Sequence, residues 1–253
     1  MKKVLITGAS SGIGYDMTKV LYEMGYFCFV VARRKDRLEE LKKELGDNIE
    51  IIELDLSKEE NIYKLHEQVK QEDIDILINN AGFGLFGEFA ETSLDKELEM
   101  IDTNIKAVHM LTKLFLQDMK KRDSGHILNV ASIAAFASGP LMNTYYATKS
   151  YVFRLSEGIY QELKKAKSNV KISVLCPGPV KTEFNQVANV EFKTKYLSSM
   201  YTAKYGINKM LKGNLIIIPG FINKCVRFFS KIVPDKIVMK LSYKIQRRKI
   251  TNN

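Results

Sequence analysis

The stretch Asn143 to Tyr151, NTYYATKSY, sets two tyrosines side by side, with Lys149 four residues after Tyr145 and three after Tyr146. On a helix, residues three and four apart share a face, so the ammonium group of Lys149 can lie beside either ring. An unperturbed tyrosine, with a pKa of about 10, exchanges protons poorly at neutral pH, and a nearby positive charge favours its phenolate. The pattern is that of a proton donor and acceptor with its electrostatic partner. Spacing alone leaves open which tyrosine acts.

A second group of residues could hold an anion. The apolar run KVLIT is followed by TGASSGIG, in which Gly8, Gly12 and Gly14 lead into a segment of helical period. Glycines at such a place allow a tight turn and let the backbone amides of a helix N-terminus approach a pyrophosphate, whose negative charge the helix dipole favours.

Both groups need a scaffold, and the chain supplies one by alternation. Short β-branched runs alternate with longer helical segments, the pattern of βαβ units around a parallel sheet. Seven strands are expected, at Lys3 to Thr7, Phe27 to Ala32, Ile49 to Leu54, Ile74 to Asn79, His126 to Ala131, Val170 to Cys176 and Leu215 to Ile218. Several are apolar nearly throughout, as strands are when helices cover both faces of a sheet. Helices are expected at Ile13 to Met24, Asp36 to Leu45, Lys58 to Gln71, Leu94 to Arg122 and Tyr145 to Lys165, with Val187 to Gly213 a helical excursion from the sheet. The fold class is therefore α/β, a doubly wound parallel seven-stranded sheet in a single domain. Residues 1–220 form the dinucleotide-binding and catalytic domain, and residues 221–253 a basic amphipathic helical extension.

At 253 residues and 45% hydrophobic content, the chain is long enough for one large core. The opening MKKVLITG reads as a first strand, because three apolar residues fall far short of a secretory signal. No apolar run approaches the roughly 20 residues of a membrane-spanning helix. Cys28, Cys176 and Cys225 lie far apart, a usage suited to a reducing cytoplasm, and His66, His109 and His126 are equally scattered, so no metal is expected. The net charge is +10, but nine basic side chains against one acid between Gly213 and Asn253 put +8 of it in the tail and leave +2 for the body. Such asymmetry points away from a nucleic-acid-binding domain.

The G-x-x-x-G-x-G spacing after the first strand resembles that of the short-chain dehydrogenase/reductase family, and further matches follow in that family's order. They are NNAG (Asn79 to Gly82), Asn104, Ser132, the Tyr145-x-x-x-Lys149 pair and PGPVKT (Pro177 to Thr182). The resemblance covers Lys3 to about Ile218 and implies a Rossmann-like domain, with Tyr145 as the catalyst because Ser132 precedes it by the family's usual interval. Tyr146 then falls at a variable position and reads as a packing or subunit-contact residue. The resemblance also implies roles. Tyr145 exchanges the proton, Lys149 lowers its pKa and holds the nicotinamide ribose, Ser132 binds the substrate oxygen, and Asn104 helps hold a water that relays protons to the lysine. Cofactor contacts are implied for Gly8, Ser10, Ser11, Gly12, Ile13, Gly14, Asn80, Ala81, Gly82, Tyr145, Lys149, Pro177, Gly178, Val180 and Thr182.

Cofactor choice is readable at the end of the second strand. An NAD enzyme usually carries an acid there for the ribose hydroxyls, whereas this chain has Arg33 and Arg34. A guanidinium pairs with a 2′-phosphate in bidentate fashion, so NADP(H) is favoured over NAD(H), with Arg33 the better placed. Asp55 matches the family position that contacts the adenine amino group, and it equally fits a helix cap through Asp55-Leu56-Ser57.

The expected substrate is a small apolar carbonyl or alcohol. Phe83, Leu85, Phe86 and Phe89 are candidates for its pocket, with Tyr196, Tyr201 and Tyr205 as a lid or, for either group, ordinary core. In the tail, Ile237, Leu241 and Ile245 recur every four residues beside Lys236, Lys240 and Lys244. That pattern fits peripheral contact with an anionic membrane and equally fits packing on the body or on a second subunit. A cytoplasmic homodimer or homotetramer is the expected form. The rival reading is a catalytically idle NADP(H)-binding protein that acts through its tail, against which the intact Ser132, Tyr145 and Lys149 argue.

Overall fold

A computed structural model describes residues 1–184, 188 and 196–247. It contains a seven-stranded parallel sheet in the order β3-β2-β1-β4-β5-β6-β7. The strands are β1 (Lys3–Thr7), β2 (Phe27–Ala32), β3 (Ile49–Glu53), β4 (Ile76–Asn79), β5 (His126–Val130), β6 (Lys171–Leu175) and β7 (Ile216–Ile217). All seven expected strands are present, and β3 to β7 are shorter than their apolar runs by up to two residues at an end. Leu54, Ala131 and Cys176 are buried beyond the last ladder residue, so their side chains stay in the core after the strand itself has ended.

The helices are α1 (Gly12–Glu23), α2 (Lys35–Leu45), α3 (Glu59–Val69), α4 (Leu94–Ile101), α5 (Val108–Lys121), α6 (Asn143–Lys165), α7 (Ser199–Leu211), α8 (Phe221–Phe229) and α9 (Asp235–Arg247). The helix expected from Leu94 to Arg122 is continuous but changes pitch, since residues Asp102–Ala107 between α4 and α5 form a π-helical turn. Of the excursion expected from Val187 to Gly213, α7 is seen, and 187 and 189–195 lie outside the described residues.

Two apolar layers hold the sheet. On one face Val4, Ile6, Val30 and Ile78 meet Met17 and Leu21 of α1, Leu38 and Leu41 of α2, and Ile207 and Met210 of α7. On the other, Leu5, Phe29, Leu77 and Ile127 meet Ile62 and Leu65 of α3, Leu111 and Phe115 of α5, and Leu163 of α6. Alternate residues of one strand thus serve opposite layers, which is why the strands read as continuous apolar runs.

A polar chain crosses the second layer. Asn79 Nδ2 donates to Asn129 Oδ1 at 2.8 Å and to Thr112 Oγ1 at 3.0 Å, and Asn129 Nδ2 donates to Ser156 Oγ at 3.0 Å. These four residues are buried and join β4, β5, α5 and α6 just below the edge that carries the functional groups. Burying amides so deep is tolerable only while most of their polar atoms are paired, and in this chain of bonds Asn79 Oδ1 has no partner among the described residues. We predict that Asn129→Leu, which strips partners from Asn79 and Ser156, lowers the unfolding free energy by about 1–3 kcal/mol. Urea denaturation followed by circular dichroism measures this, and an unchanged midpoint would show that the chain of amides is dispensable.

Candidate active site

The strand order reverses between β1 and β4, and in open parallel sheets the crevice at such a switch point lies beyond the carboxyl ends of the strands. A cleft of about 1360 Å³ opens there. Every residue expected to contact cofactor or substrate oxygen lines it except Gly14 and Asn104, which stand directly behind its wall.

The turn after β1 is shaped for close approach. Gly8 has φ +67°, and a Cβ at Gly14 would lie 2.4 Å from both Gly8 O and Asn80 Nδ2. The turn is tied to the loop after β4. Thr7 Oγ1 accepts from the backbone N–H groups of Asn80 and Ala81, both at 3.0 Å, and Asn80 Nδ2 donates to Thr7 O at 3.0 Å and Gly8 O at 3.1 Å. Thr7 was not among the expected site residues, since its position inside a strand reads as core. Ser11 precedes α1 in an extended conformation without capping the helix by its side chain, so the first amides of α1 face the cleft with no side-chain acceptor from the cap. This cradle, closed to any side chain at Gly14 and rich in amide donors, fits a dinucleotide pyrophosphate.

The end of β2 supplies cations. Arg33 Nη1 pairs with Glu99 of α4 at 2.8 Å. Arg34 Nη2 lies 3.2 Å from Ser10 Oγ and 2.8 Å from Glu183, so it links the glycine turn to the loop after β6. Arg33 and Arg34 both line the cleft. Asp55 faces the cleft too, while its Oδ1 accepts from Ser57 N at 3.0 Å. That bond closes a local turn in the loop and does not cap a helix, since α3 starts at Glu59 with Lys58 at its N-cap and no side-chain cap bond; the place of Asp55 on the cleft wall is compatible with the adenine reading.

Tyr145, Lys149 and Ser132 meet at the far end of this cleft. Tyr145 and Lys149 share one face of α6, with Lys149 Nζ 5.8 Å from the Tyr145 ring centre. Lys149 is buried and donates from Nζ to Val130 O at 3.0 Å. Ser132 precedes a short 3₁₀ turn (Ile133–Phe136), where its Oγ accepts from Ala134 N at 3.1 Å, and it hydrogen-bonds the Tyr145 hydroxyl. Burial pushes the Tyr145 hydroxyl above the ordinary tyrosine value, the Ser132 bond opposing that rise. Burial also pulls Lys149 down to about 8. The lowering of Tyr145 expected from its lysine is not seen: desolvation raises the hydroxyl, and what opposes it is the Ser132 bond. A pKa of about 8 still leaves Lys149 cationic at neutral pH.

Asn104 sits in the π-helical turn and is fully buried. Its Oδ1 accepts from Phe83 N at 3.1 Å, and its Nδ2 donates to Phe83 O at 2.9 Å and Thr148 Oγ1 at 3.1 Å. The side chain is thus spent on clamping the loop after β4 to α6, one position before Lys149. Wide turns of this kind recur at functional sites, because they re-aim the residues that follow.

The apolar half of the cleft agrees only in part with the sequence. Phe83 and Tyr196 line it. Phe86 packs instead against Met142, and Leu85 faces a small separate hollow. Phe89 is exposed at 65%, and Tyr201 and Tyr205 stack on each other at 5.9 Å with Tyr205 against the first apolar layer. Other wall residues went unrecognised. Phe184 lies 5.3 Å from Tyr145 ring to ring, and Gln246 of α9 donates from Nε2 to the Tyr146 hydroxyl at 2.6 Å. Tyr146 is thereby a wall residue of the cleft that holds the tail in place. No spacing rule could have paired Tyr146 with a residue a hundred positions away.

Comparison with known proteins agrees with this geometry. The short chain dehydrogenase family matches residues 2–192. An uncharacterized oxidoreductase of Staphylococcus saprophyticus is 39% identical over 185 residues, 72% of this chain and 75% of that one. The NADP-dependent 3-hydroxy acid dehydrogenase of Escherichia coli is 38% identical over 197 residues, 75% and 76% of the two chains. Among solved structures, a short-chain dehydrogenase from Sphingobium yanoikuyae in complex with NADPH superposes with a TM-score of 0.81 at 25% identity, over 92% of this chain and 97% of that one. A relative from Burkholderia phymatum in complex with NAD shares the fold, with a TM-score of 0.81 at 23% identity over 89% and 92%. With the glycine turn, the NNAG loop and the tyrosine–lysine pair all on one cleft, this chain belongs to the short-chain dehydrogenase family and is an oxidoreductase.

Proposed function

We propose that the protein is an NADP(H)-dependent reductase or dehydrogenase that interconverts an apolar carbonyl compound and its alcohol, with Tyr145 as the acid and base. The observation that carries this reading is the meeting of Tyr145, Lys149 and Ser132 at one end of a cleft whose other end is the glycine cradle. Bound nicotinamide supplies or accepts the hydride, and the protein supplies position and protons. In the reductive direction Ser132 and Tyr145 both donate toward the substrate oxygen, and Tyr145 gives up its proton as charge develops there. Lys149, held by Val130 O, presents the cation that stabilises the resulting phenolate. Phe184 and Met142 keep water from the apolar side. Arg33 and Arg34 support NADP(H), as does the NADP dependence of the E. coli relative, while the Burkholderia relative's NAD shows that the fold itself accepts either cofactor. Peripheral contact of the basic tail with an anionic membrane belongs to the same reading.

Three measurements test it. In a screen of ketones and aldehydes that follows NADPH absorbance, Tyr145→Phe should abolish turnover and spare NADPH binding, whereas Tyr146→Phe should stay active, losing chiefly its bond from Gln246. The reverse order would reassign the catalyst.

Arg33→Ala should weaken NADPH by about ten- to a hundredfold and leave NADH nearly unaffected, as expected for one charge-assisted bond of roughly 1.5–3 kcal/mol. Titration of both cofactors also against Arg34→Ala decides which arginine reads the phosphate. Equal losses for both cofactors would give Arg33 a structural role.

The pH profile follows from Lys149. The ammonium is present below about 8 and lost above it, so kcat/KM for reduction should hold near neutrality and fall as pH rises through about 8. A profile flat to high pH would mean that the charge of Lys149 is not needed.

A further inference from the structure

Helices α8 and α9 lie over the mouth of the cleft with their sides reversed. On α8 the polar residues face the body. Asn223 is buried, with its Oδ1 2.4 Å from where a Cβ of Gly178 would stand and its Nδ2 donating to Pro219 O at 2.7 Å. The Arg227 guanidinium lies over the rings of Phe136 and Phe153, at 5.3 and 5.5 Å. The apolar residues face away: Phe221, Ile222, Phe228, Phe229 and, just beyond, Ile232 are 58–80% exposed. Counted from Phe221, the other four stand one, seven, eight and eleven positions on, which draws a single stripe along a helix.

Helix α9 continues the surface. Gln246 turns inward, 1% exposed, onto the Tyr146 hydroxyl. Ile237, Leu241 and Ile245 form an outward apolar stripe, each at least half exposed, beside the exposed stripe of Lys236, Lys240 and Lys244. Phe221, Ile222 and Ile245 belong to both regions, exposed on the outside and lining the cleft within. An apolar path therefore runs from the outer surface of the tail to the cavity of Tyr145.

We infer that this face rests on an anionic lipid bilayer with the cleft opening onto the lipid, so that the substrate is a lipophilic carbonyl or alcohol drawn from the membrane. The substrate half of the inference rests on the redox reading above. Charge decides among the surfaces that would cover such a face. In a two-fold contact with a second copy the same patch meets itself, and packed with α9 antiparallel to its image this would bring the two lysine stripes together. Anionic headgroups meet that stripe with opposite sign, and a helix bearing lysines beside an apolar stripe lies in the plane of such an interface. Among the described residues no helix is long and apolar enough to cross a membrane, so the contact is peripheral.

The full chain and the variant Phe228→Ser/Phe229→Ser/Leu241→Ser, altered only outside the cleft, are tested with phosphatidylcholine vesicles with and without about 30% phosphatidylserine. The substrates are butane-2,3-dione and dodecane-2,3-dione, which share a reacting group and differ in lipophilicity. The full chain should sediment with anionic vesicles at about 50 mM salt and be released at about 500 mM. Anionic vesicles should raise turnover of the long dione by about tenfold or more and leave the short one unchanged. The variant should lose both vesicle effects and keep turnover of the short dione. Failure of the full chain to bind, equal binding to neutral vesicles, or binding without a gain on the long dione overturns the inference, and turnover of the short dione then leaves the redox reading intact. No turnover of either dione overturns the substrate half together with that reading. A variant that dissociates from a dimer or tetramer, its parent ignoring vesicles, would make this face an interface between copies and overturn the inference as well.

Discussion

The ammonium group of Lys149 is buried in the wall of the cleft, and one backbone carbonyl, that of Val130, receives it. A cation so placed is costly unless held, and the price is visible in a pKa drawn down to about 8. Much of the active end of the molecule follows from this placement. The carbonyl of Val130 must stand at the end of β5, Tyr145 must lie one helical turn before the lysine, and Gly82 must be glycine, because a Cβ there would come within 2.8 Å of Asn104 Oδ1 and 3.3 Å of Lys149 Nζ. Asn104 in turn binds Phe83 and Thr148 and so fixes the loop and the helix that flank the lysine.

Burial acts on the two partners in opposite senses. It raises Tyr145 and lowers Lys149, so each neutral form gains at the expense of its ion. On the proposed reading, a phenol kept protonated beside an ammonium that still carries its charge at neutral pH releases its proton only when negative charge develops nearby. Preorganisation of this kind costs stability when the chain folds and lowers the barrier later, since little has to move during the reaction. The buried amides of Asn79 and Asn129 hold the strands beneath it and offset part of that cost through paired hydrogen bonds.

The sequence was most legible where one physical demand dominated. Apolar runs of strand length fixed β1 and β2 to the residue, and glycine clusters marked the cradle because few other residues tolerate its φ angles and contacts. The order of the motifs favours Tyr145 over Tyr146 as the proposed catalyst, a choice that spacing on a helix leaves open. Legibility failed where two demands agreed locally. The segment from Leu94 to Arg122 has one helical period, and nothing in it announces that Asp102–Ala107 would widen into a π turn to carry Asn104 inward. Arg33 and Arg34 are chemically alike, and only the fold gives one of them to Glu99 and the other to Ser10 and Glu183. Phe86 and Phe89 looked as suited to a pocket as Phe83, yet a loop without regular hydrogen bonding has no period to assign their sides.

The tail shows the same limit in its sharpest form. A four-residue recurrence states that a helix has two sides, but it does not state which side faces the body. Ordinary surface helices turn their apolar side inward, and α3 does so with Ile62, Leu65 and Val69. In α8 and α9 the inward positions are held by Asn223, Arg227 and Gln246: Asn223 turns back onto Pro219 O four residues earlier, while Arg227 and Gln246 find partners that only the folded body offers, two aromatic rings and the Tyr146 hydroxyl. Those three contacts set the phase of both helices and leave the phenylalanines and isoleucines pointing outward. Among the described residues nothing covers most of these side chains, and an exposed apolar face of this extent marks a surface for interaction.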